Sequence, residues 1–402
     1  MKQEFEHPTP KELGYHFPAE WEPHRATWFS YPHDDSYSWP GTLPDIFDTY
    51  NNFIKEVAKG ETACINVRNE QLRIKVEQDL IRTGINPEDL QLFIHPTNDA
   101  WSRDHGPAFL VNPGAKNSKV IVGWKFNAWG EKYPHDLDEK IPGLIAGTLQ
   151  IPVFYPGIVM EGGAVDFNGK GTVLTTTSCL LHKNRNPGLS KDKLEEFLGH
   201  YYGIDQVLWL ENGIDGDDTN GHIDDHTRFF REDSVVTAVE GNHSDTNYQP
   251  LRLNLQILKK MRLVNGKQLT IAEIPMPKPV WFEGQRLPAS YANFYISNRS
   301  VIVPLYSCSE DDKAMAIFEE CFPDRQDRER FSRDFRYHWH EDLLRVHQRG
   351  REMAGESLVR SMMYAVRMKR GIGSVSGVLC KGSASGPHLP KVCSKVGPVS
   401  GS

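Results

Sequence analysis

Six of the ten side chains from Asp217 to His226 are carboxylates or imidazoles, and only Ile223 is aliphatic. Apolar runs, Gln206 to Leu210 and Thr227 to Phe230, flank this stretch. Gly213, Gly216 and Gly221 interrupt it, so it reads as a loop joining two strands. Most charge runs are solvated turns, and for Asp215, Asp217 and Asp218 that ordinary reading is favoured. His222 and Asp224 stand nearer the second strand, two residues apart, and share one face if extended pairing has begun there. For these two a chemical role is favoured.

Three further constellations fall where a strand-like run gives way to a polar loop, a usual place for binding groups. Trp101-Ser102-Arg103-Asp104-His105-Gly106-Pro107 puts an acid between an aromatic residue and a turn. Glu161-Gly162-Gly163, with Asp166 behind it, puts a carboxylate beside two residues that let a ligand approach the backbone. Leu287-Pro288-Ala289-Ser290-Tyr291-Ala292-Asn293-Phe294 sets Asn293 in an apolar run. Taken singly, the first two read best as turns and the third as an asparagine satisfied by backbone. Together, Asp104, Glu161 and Asp224 suit a small cation, because a planar guanidinium is held by paired, charge-assisted hydrogen bonds. His222 beside them would be held partly protonated and could hand a proton to a departing amine. The same atoms suit a divalent metal: His222, Asp224 and His226, completed by Asp104 and Glu161, form a candidate zinc or manganese site. Spacing alone does not separate the two.

The elements that must position these residues alternate strands with single helices. A strand around Thr27 to Tyr31 leads to a helix capped by Thr42, with Ile46, Phe47, Tyr50, Phe53, Ile54 and Val57 on one stripe. Strand Ala63 to Val67, helix Glu70 to Thr83 and strand Leu90 to His95 follow. Strands Ala108 to Val111 and Lys119 to Phe126, helix Asp138 to Leu149, strands Val153 to Tyr155 and Thr172 to Thr177, and helix Lys191 to Gly199 come next. Beyond the acidic loop lie strand Ser234 to Val239, helix Pro250 to Arg262, strand Leu269 to Ile274, and the pair Ala292 to Ser297 and Ser300 to Pro304. Ser309 opens a capping box with Asp312. The pattern indicates an α/β chain with a mixed sheet in repeated modules.

At 402 residues with a net charge of -7, the chain offers no basic surface for nucleic acid. No run is long enough to span a bilayer, and Met1 to Pro18 is too polar for a signal peptide, so the cytoplasm is expected. The six cysteines form no CxxC pair, and reduced thiols are expected.

The four motifs, in this order, resemble the agmatine deiminase and bacterial peptidylarginine deiminase family over roughly Glu20 to Arg325, with Trp21-Glu22-Pro23-His24 near the start. The resemblance implies the pentein fold, a five-bladed α/β propeller of strand-and-helix modules around a central pocket. It implies that Asp104 and Asp224 grip a guanidinium, that His222 carries the proton, and that Glu161 lies in the pocket. Trp101, Trp129 and Asn293 are expected to bind substrate. The implied reaction hydrolyses a guanidinium to a ureido group with loss of ammonia, through attack by a cysteine thiolate, with no metal and no cofactor. Trp124 to Pro134 resembles the agmatine branch and holds no arginine pair to clamp a peptide carboxylate. Agmatine, giving N-carbamoylputrescine on the way to putrescine, is therefore favoured over protein arginine. The implied partner is a small guanidino substrate, and a homodimer is compatible with it. Other readings are a metal-dependent hydrolase, a guanidinium-binding relic and an unstable fragment.

The family's nucleophile follows a Gly-rich turn near the carboxyl end, and the match here stops at about Arg325. Three parts are expected: a deiminase domain over 1–325, an aberrant Arg-rich segment over 326–370 replacing the last module, and a disordered Gly/Ser-rich tail over 371–402. Within the middle part, Leu343 to Val346 and Met353 to Val366 could form amphipathic helix. Cys308 and Cys321 read as structural, and Cys380 and Cys393 fall in the tail. A one-base slip of the reading frame after Arg325 would account for the change: the shifted codons beneath Trp339 to Gln348 permit Gly, four residues, then Cys-Val-Ser.

Overall fold

In the computed structural model the chain is described at Phe5 and over residues 7–39, 43–282 and 284–323, together with the backbone of a strand at Met363–Arg367. Strand β1 (His24–Ser30) is followed by helix α1 (Leu43–Ala58), strand β2 (Thr62–Val67), helix α2 (Glu70–Arg82) and strand β3 (Leu90–Ile94). Ile46, Tyr50, Ile54 and Val57 of α1 recur at helical spacing and pack with Ala63, Ile65 and Val67 of β2 in one core. Asn69 caps α2 by accepting from the Leu72 amide at 2.9 Å. Thr42, the expected cap of α1, lies outside the described residues.

One arrangement then recurs. Turn α3 (Ser102–His105) enters strands β4 (Ala108–Val111) and β5 (Lys119–Val122), which pair antiparallel. After the short turn α4 (Ala128–Glu131) and helix α5 (Ile141–Leu149), strand β6 (Val153–Phe154) returns parallel to β5. Strands β7 (Val165–Phe167) and β8 (Thr172–Thr176) pair antiparallel. After α6 (Thr177–Leu180) and α7 (Lys191–Tyr202), β9 (Gln206–Leu210) lies parallel to β8. Strands β10 (Thr227–Arg231) and β11 (Ser234–Val239), helix α8 (Tyr248–Leu258) and parallel strand β12 (Thr270–Pro275) repeat it once more. A small ribbon, β13 (Trp281–Phe282) and β14 (Gln285–Arg286), precedes the antiparallel pair β15 (Tyr295–Ile296) and β16 (Val301–Ile302) and helix α9 (Asp311–Cys321). Strand β17 (Met363–Arg367) pairs antiparallel with β1, and β1 is parallel to β2. Strands β17, β1 and β2 thus repeat the order of an antiparallel and then a parallel neighbour.

The inner strands β5, β8 and β11 are buried along nearly their whole length, which is why their sequences run as near-continuous apolar and threonine stretches without alternation. Several expectations need correction. His222 and Asp224 do not share a strand face: residues Ile223–Asp225 form a 3-10 turn, and β10 begins only at Thr227. Asp217 is not a solvated turn residue. Its carboxylate accepts from the amides of Thr219, Gly221 and His222, holding the loop from within. Strand β7 escaped notice because three residues between glycines carry too little pattern. Ser309 caps no helix, since its hydroxyl turns to Glu310; Asp311 instead accepts from the Tyr306 and Cys308 amides. Residues 363–366, expected within a helix, are extended in β17. The rest of the tail, with its expected helix at Leu343 to Val346 and its cysteines, lies outside the described residues.

Candidate functional site

The repeat explains how motifs far apart in sequence meet. Asp104, Glu161, the His222–Asp224 pair and Asn293 each stand just before the first strand of a hairpin, β4, β7, β10 and β15 respectively. Equivalent positions of successive modules bring the first three groups to one place. His222 is the hub. Its Nδ1 lies 3.7 Å from Asp104 Oδ1 and 3.9 Å from Asp224 Oδ1, and its Nε2 lies 3.7 Å from Glu161 Oε2. All four side chains are buried. These distances sit just beyond hydrogen bonding, and His222 Nε2 has no hydrogen-bond partner.

Gly163 makes the convergence possible. A Cβ on it would lie 2.5 Å from His222 Nδ1, 2.8 Å from Asp104 Oδ1 and 2.9 Å from Asp224 Oδ2, so any side chain would fill the space these groups face. Its amide also donates to Asp104 Oδ1 at 2.8 Å. The other oxygen of Asp104 accepts from the indole N–H of Trp129 at 2.9 Å. That indole is presented by a left-handed run, with φ of 46° at Ala128, 58° at Trp129, 104° at Gly130 and 62° at Glu131. Non-glycine residues rarely adopt this region, and such local strain concentrates at binding sites. Trp101 packs against Trp129 edge to face and commits its own indole N–H to Ser38 Oγ at 2.7 Å.

Two residues that the sequence reading passed over belong here. Arg185 donates from Nε to Glu161 Oε1 at 2.6 Å, from Nη1 to the Trp129 carbonyl at 2.9 Å and to Asn220 Oδ1 at 2.8 Å, and from Nη2 to the Thr219 carbonyl at 2.7 Å. It ties three of the motif loops together. Cys179, at the start of α6, brings its thiol to 3.9 Å from Glu161 Oε2. The sequence signals were slight: one arginine between two asparagines, and a cysteine in an ordinary apolar turn. Asn293 donates to Asp225 Oδ1 at 3.1 Å, and so braces the acidic loop next to the pair it was expected to join. His226 turns to Thr227 Oγ1 at 2.9 Å.

Electrostatics follow from burial and the acid excess. Burial alone would push His222 down, but the Asp104 charge, with Cys179 and Glu161 adding to it, holds the imidazole well above its ordinary value. Burial and the neighbouring Asp104 raise Asp224. Burial also opposes the charge on Glu161, but Arg185 and His222 prevail and hold it low. Burial raises the Cys179 thiol. The site therefore favours positive charge lodged among three acids.

Beside it runs a second buried network. Arg228 donates to Asp166 Oδ1 at 2.7 Å and to Glu20 Oε2 at 2.9 Å, and Arg103 reaches the same Glu20 oxygen at 2.7 Å. The Phe229 and Ile296 amides take the remaining carboxylate oxygens.

The metal grouping expected from His222, Asp224 and His226 does not form. Among the described residues the one group whose ligand atoms converge, all within 4.8 Å of one another, is Glu161, Cys179 and His222.

The model of the Porphyromonas-type peptidyl-arginine deiminase family matches residues 16–328. The agmatine deiminase of Ectopseudomonas mendocina is 31% identical over 345 residues, covering 79% of this chain and 90% of the relative. The solved agmatine deiminase of Enterococcus faecalis superposes with a TM-score of 0.71 at 31% identity, covering 79% of this chain and 90% of that one. An agmatine deiminase structure from C. jejuni gives 0.66 at 30% identity, over 77% and 88%. The α/β architecture is the one those enzymes share.

Proposed function

This chain belongs to the Porphyromonas-type peptidyl-arginine deiminase family, hydrolases that act on C–N bonds, and we propose that its site holds the guanidinium of agmatine. One observation carries the reading: Asp104, Asp224 and His222 all face the space that Gly163 leaves open, with Glu161 on the far side of the imidazole. A planar cation entering there meets carboxylates on two sides. Asp104 is already oriented by Trp129 and the Gly163 amide, so little ordering is left for the ligand to impose. The raised imidazole of His222 is a proton store for departing ammonia. In the family reaction a thiolate adds to the guanidinium carbon, ammonia leaves with the imidazole's proton, and water then releases the ureido product, N-carbamoylputrescine.

The modules form a five-bladed propeller in this reading, and the repeat says where the nucleophile belongs. Four positions before β4, β7, β10 and β15 are accounted for. The fifth position precedes the strand that pairs with β1, which here is β17. No cysteine stands between Cys321 and Cys380. The segment after Arg325 is accordingly a frame-shifted replacement, and the chain binds agmatine without turning it over. No helix among the described residues is long and apolar enough to cross a membrane, in keeping with a cytoplasmic site of action. The test is ammonia release from agmatine by this chain beside one with the frame restored after Arg325. Agmatine should stabilise both thermally, and only the restored chain should release ammonia. Stabilisation by a peptidyl arginine and not by agmatine would reassign the substrate.

A further inference from the structure

We propose that Glu161, Cys179 and His222 form a binding site for a thiophilic divalent metal such as zinc. This is neither the metal-hydrolase set expected from spacing nor a cofactor of the family reaction.

The geometry is close to what zinc needs. Tetrahedral zinc sits about 2.3 Å from sulfur and about 2.0–2.2 Å from nitrogen and oxygen, which separates its ligands by about 3.3–3.8 Å. Here Cys179 Sγ is 3.9 Å and His222 Nε2 is 3.7 Å from Glu161 Oε2, and the three ligand atoms all lie within 4.8 Å of one another. Adjustments of a few tenths of an ångström in these two separations, and of up to about 1 Å between the sulfur and the imidazole, bring the atoms onto one ion. His222 Nε2 is buried, has no hydrogen-bond partner and faces this point. Glu161 gives its other oxygen to Arg185, a contact that orients the carboxylate and leaves Oε2 toward the metal.

The charges also fit. Against burial, Asp104 and Glu161 already favour positive charge at His222, and a dication uses the same field. Binding replaces the Cys179 thiol proton and the His222 imidazolium proton with bonds to the metal, so two protons leave to solvent and no redox change occurs. The bound ion then occupies the imidazole nitrogen nearest Glu161, on the far side of the ring from the space that Gly163 leaves open.

Cobalt provides the readout, because a thiolate ligand gives a charge-transfer band in the near ultraviolet. The metal-free full chain should bind one cobalt with that band. Cys179→Ser should lose it and weaken binding by at least about tenfold, the least expected when even an outer partner of a metal ligand is lost. Cys380→Ser/Cys393→Ser should keep the band. Its absence from the full chain, its survival in Cys179→Ser, or its loss in the tail variant would overturn the site. Should Cys179→Ser fail to fold, zinc X-ray absorption on the tail variant gives a second answer. One sulfur neighbour with the rest nitrogen or oxygen supports the site, and none or more than one sulfur refutes it.

Discussion

Two buried charge clusters lie side by side in this molecule, and their sequence neighbours interleave: Arg103 next to Asp104, and Arg228 soon after Asp224. One is balanced. In it Glu20 and Asp166 face Arg103 and Arg228, and each carboxylate oxygen accepts a hydrogen bond. The other holds Asp104, Glu161 and Asp224 against Arg185 and the His222 imidazole, with neither ring nitrogen closer than 3.7 Å to these acids. Burial is similar and the pairing of the carboxylates is not. A network whose carboxylates are all paired, although Arg103 Nε has no hydrogen-bond partner, holds the fold in one arrangement, whereas an acid-rich site with slack in it is poised to take a cation.

The sharpest way to break this contrast is Arg228→Met. It leaves buried Asp166 without its guanidinium and takes one of two from Glu20, and should cost about 3–5 kcal/mol of stability, read from the urea midpoint. A loss below about 1 kcal/mol would mean that the balanced cluster is not structural. Asp224→Asn should do the reverse. Agmatine binding should weaken by about 1.5–3 kcal/mol, the worth of a hydrogen bond to a charged group. Stability should hold or rise, because burial already disfavours the charge on Asp224. If the variant unfolds as readily as Arg228→Met, the two clusters are one. Gly163→Ala should cost about 1–3 kcal/mol by overpacking and abolish agmatine binding in calorimetry.

Acid titration separates Glu20 of the balanced cluster from Asp224 without mutation, burial having raised Asp166 of that cluster to about 6. Glu20 is held down to about 2, burial being outweighed by Arg103 and Arg228, so its stabilisation is present above 4.5 and fades as pH falls through about 2. Asp224 is raised above 3.8, so its grip on a cation is lost earlier in the same descent. Agmatine affinity should therefore disappear before the circular-dichroism signal does. The smallest effect belongs to Trp129→Phe, which removes one hydrogen bond to Asp104 and should weaken agmatine by about 1 kcal/mol.

The helices were legible because amphipathic spacing survives in any context: α1, α2 and α7 stand within a few residues of where the pattern put them. The short hairpin strands were less so. Strands β15 and β16 keep two residues each of longer apolar runs, because the flanking residues pack without ladder pairing. At the site, acids in glycine-broken loops were visible as a class. Arg185 and Cys179 were not, since each acquires its meaning only from Glu161 in a neighbouring loop. The 3-10 turn that sets His222 against Asp224 was hidden too, because Ile223-Asp224-Asp225 has no helical signal of its own.

The central claim is that the slack, acid-rich cluster binds a guanidinium. Calorimetric titration of agmatine into the full chain near neutral pH, beside Asp224→Asn, tests it most directly. The account predicts one equivalent bound by the full chain and roughly a ten- to hundredfold loss in the variant. No binding by the full chain, or equal binding by both, would contradict it.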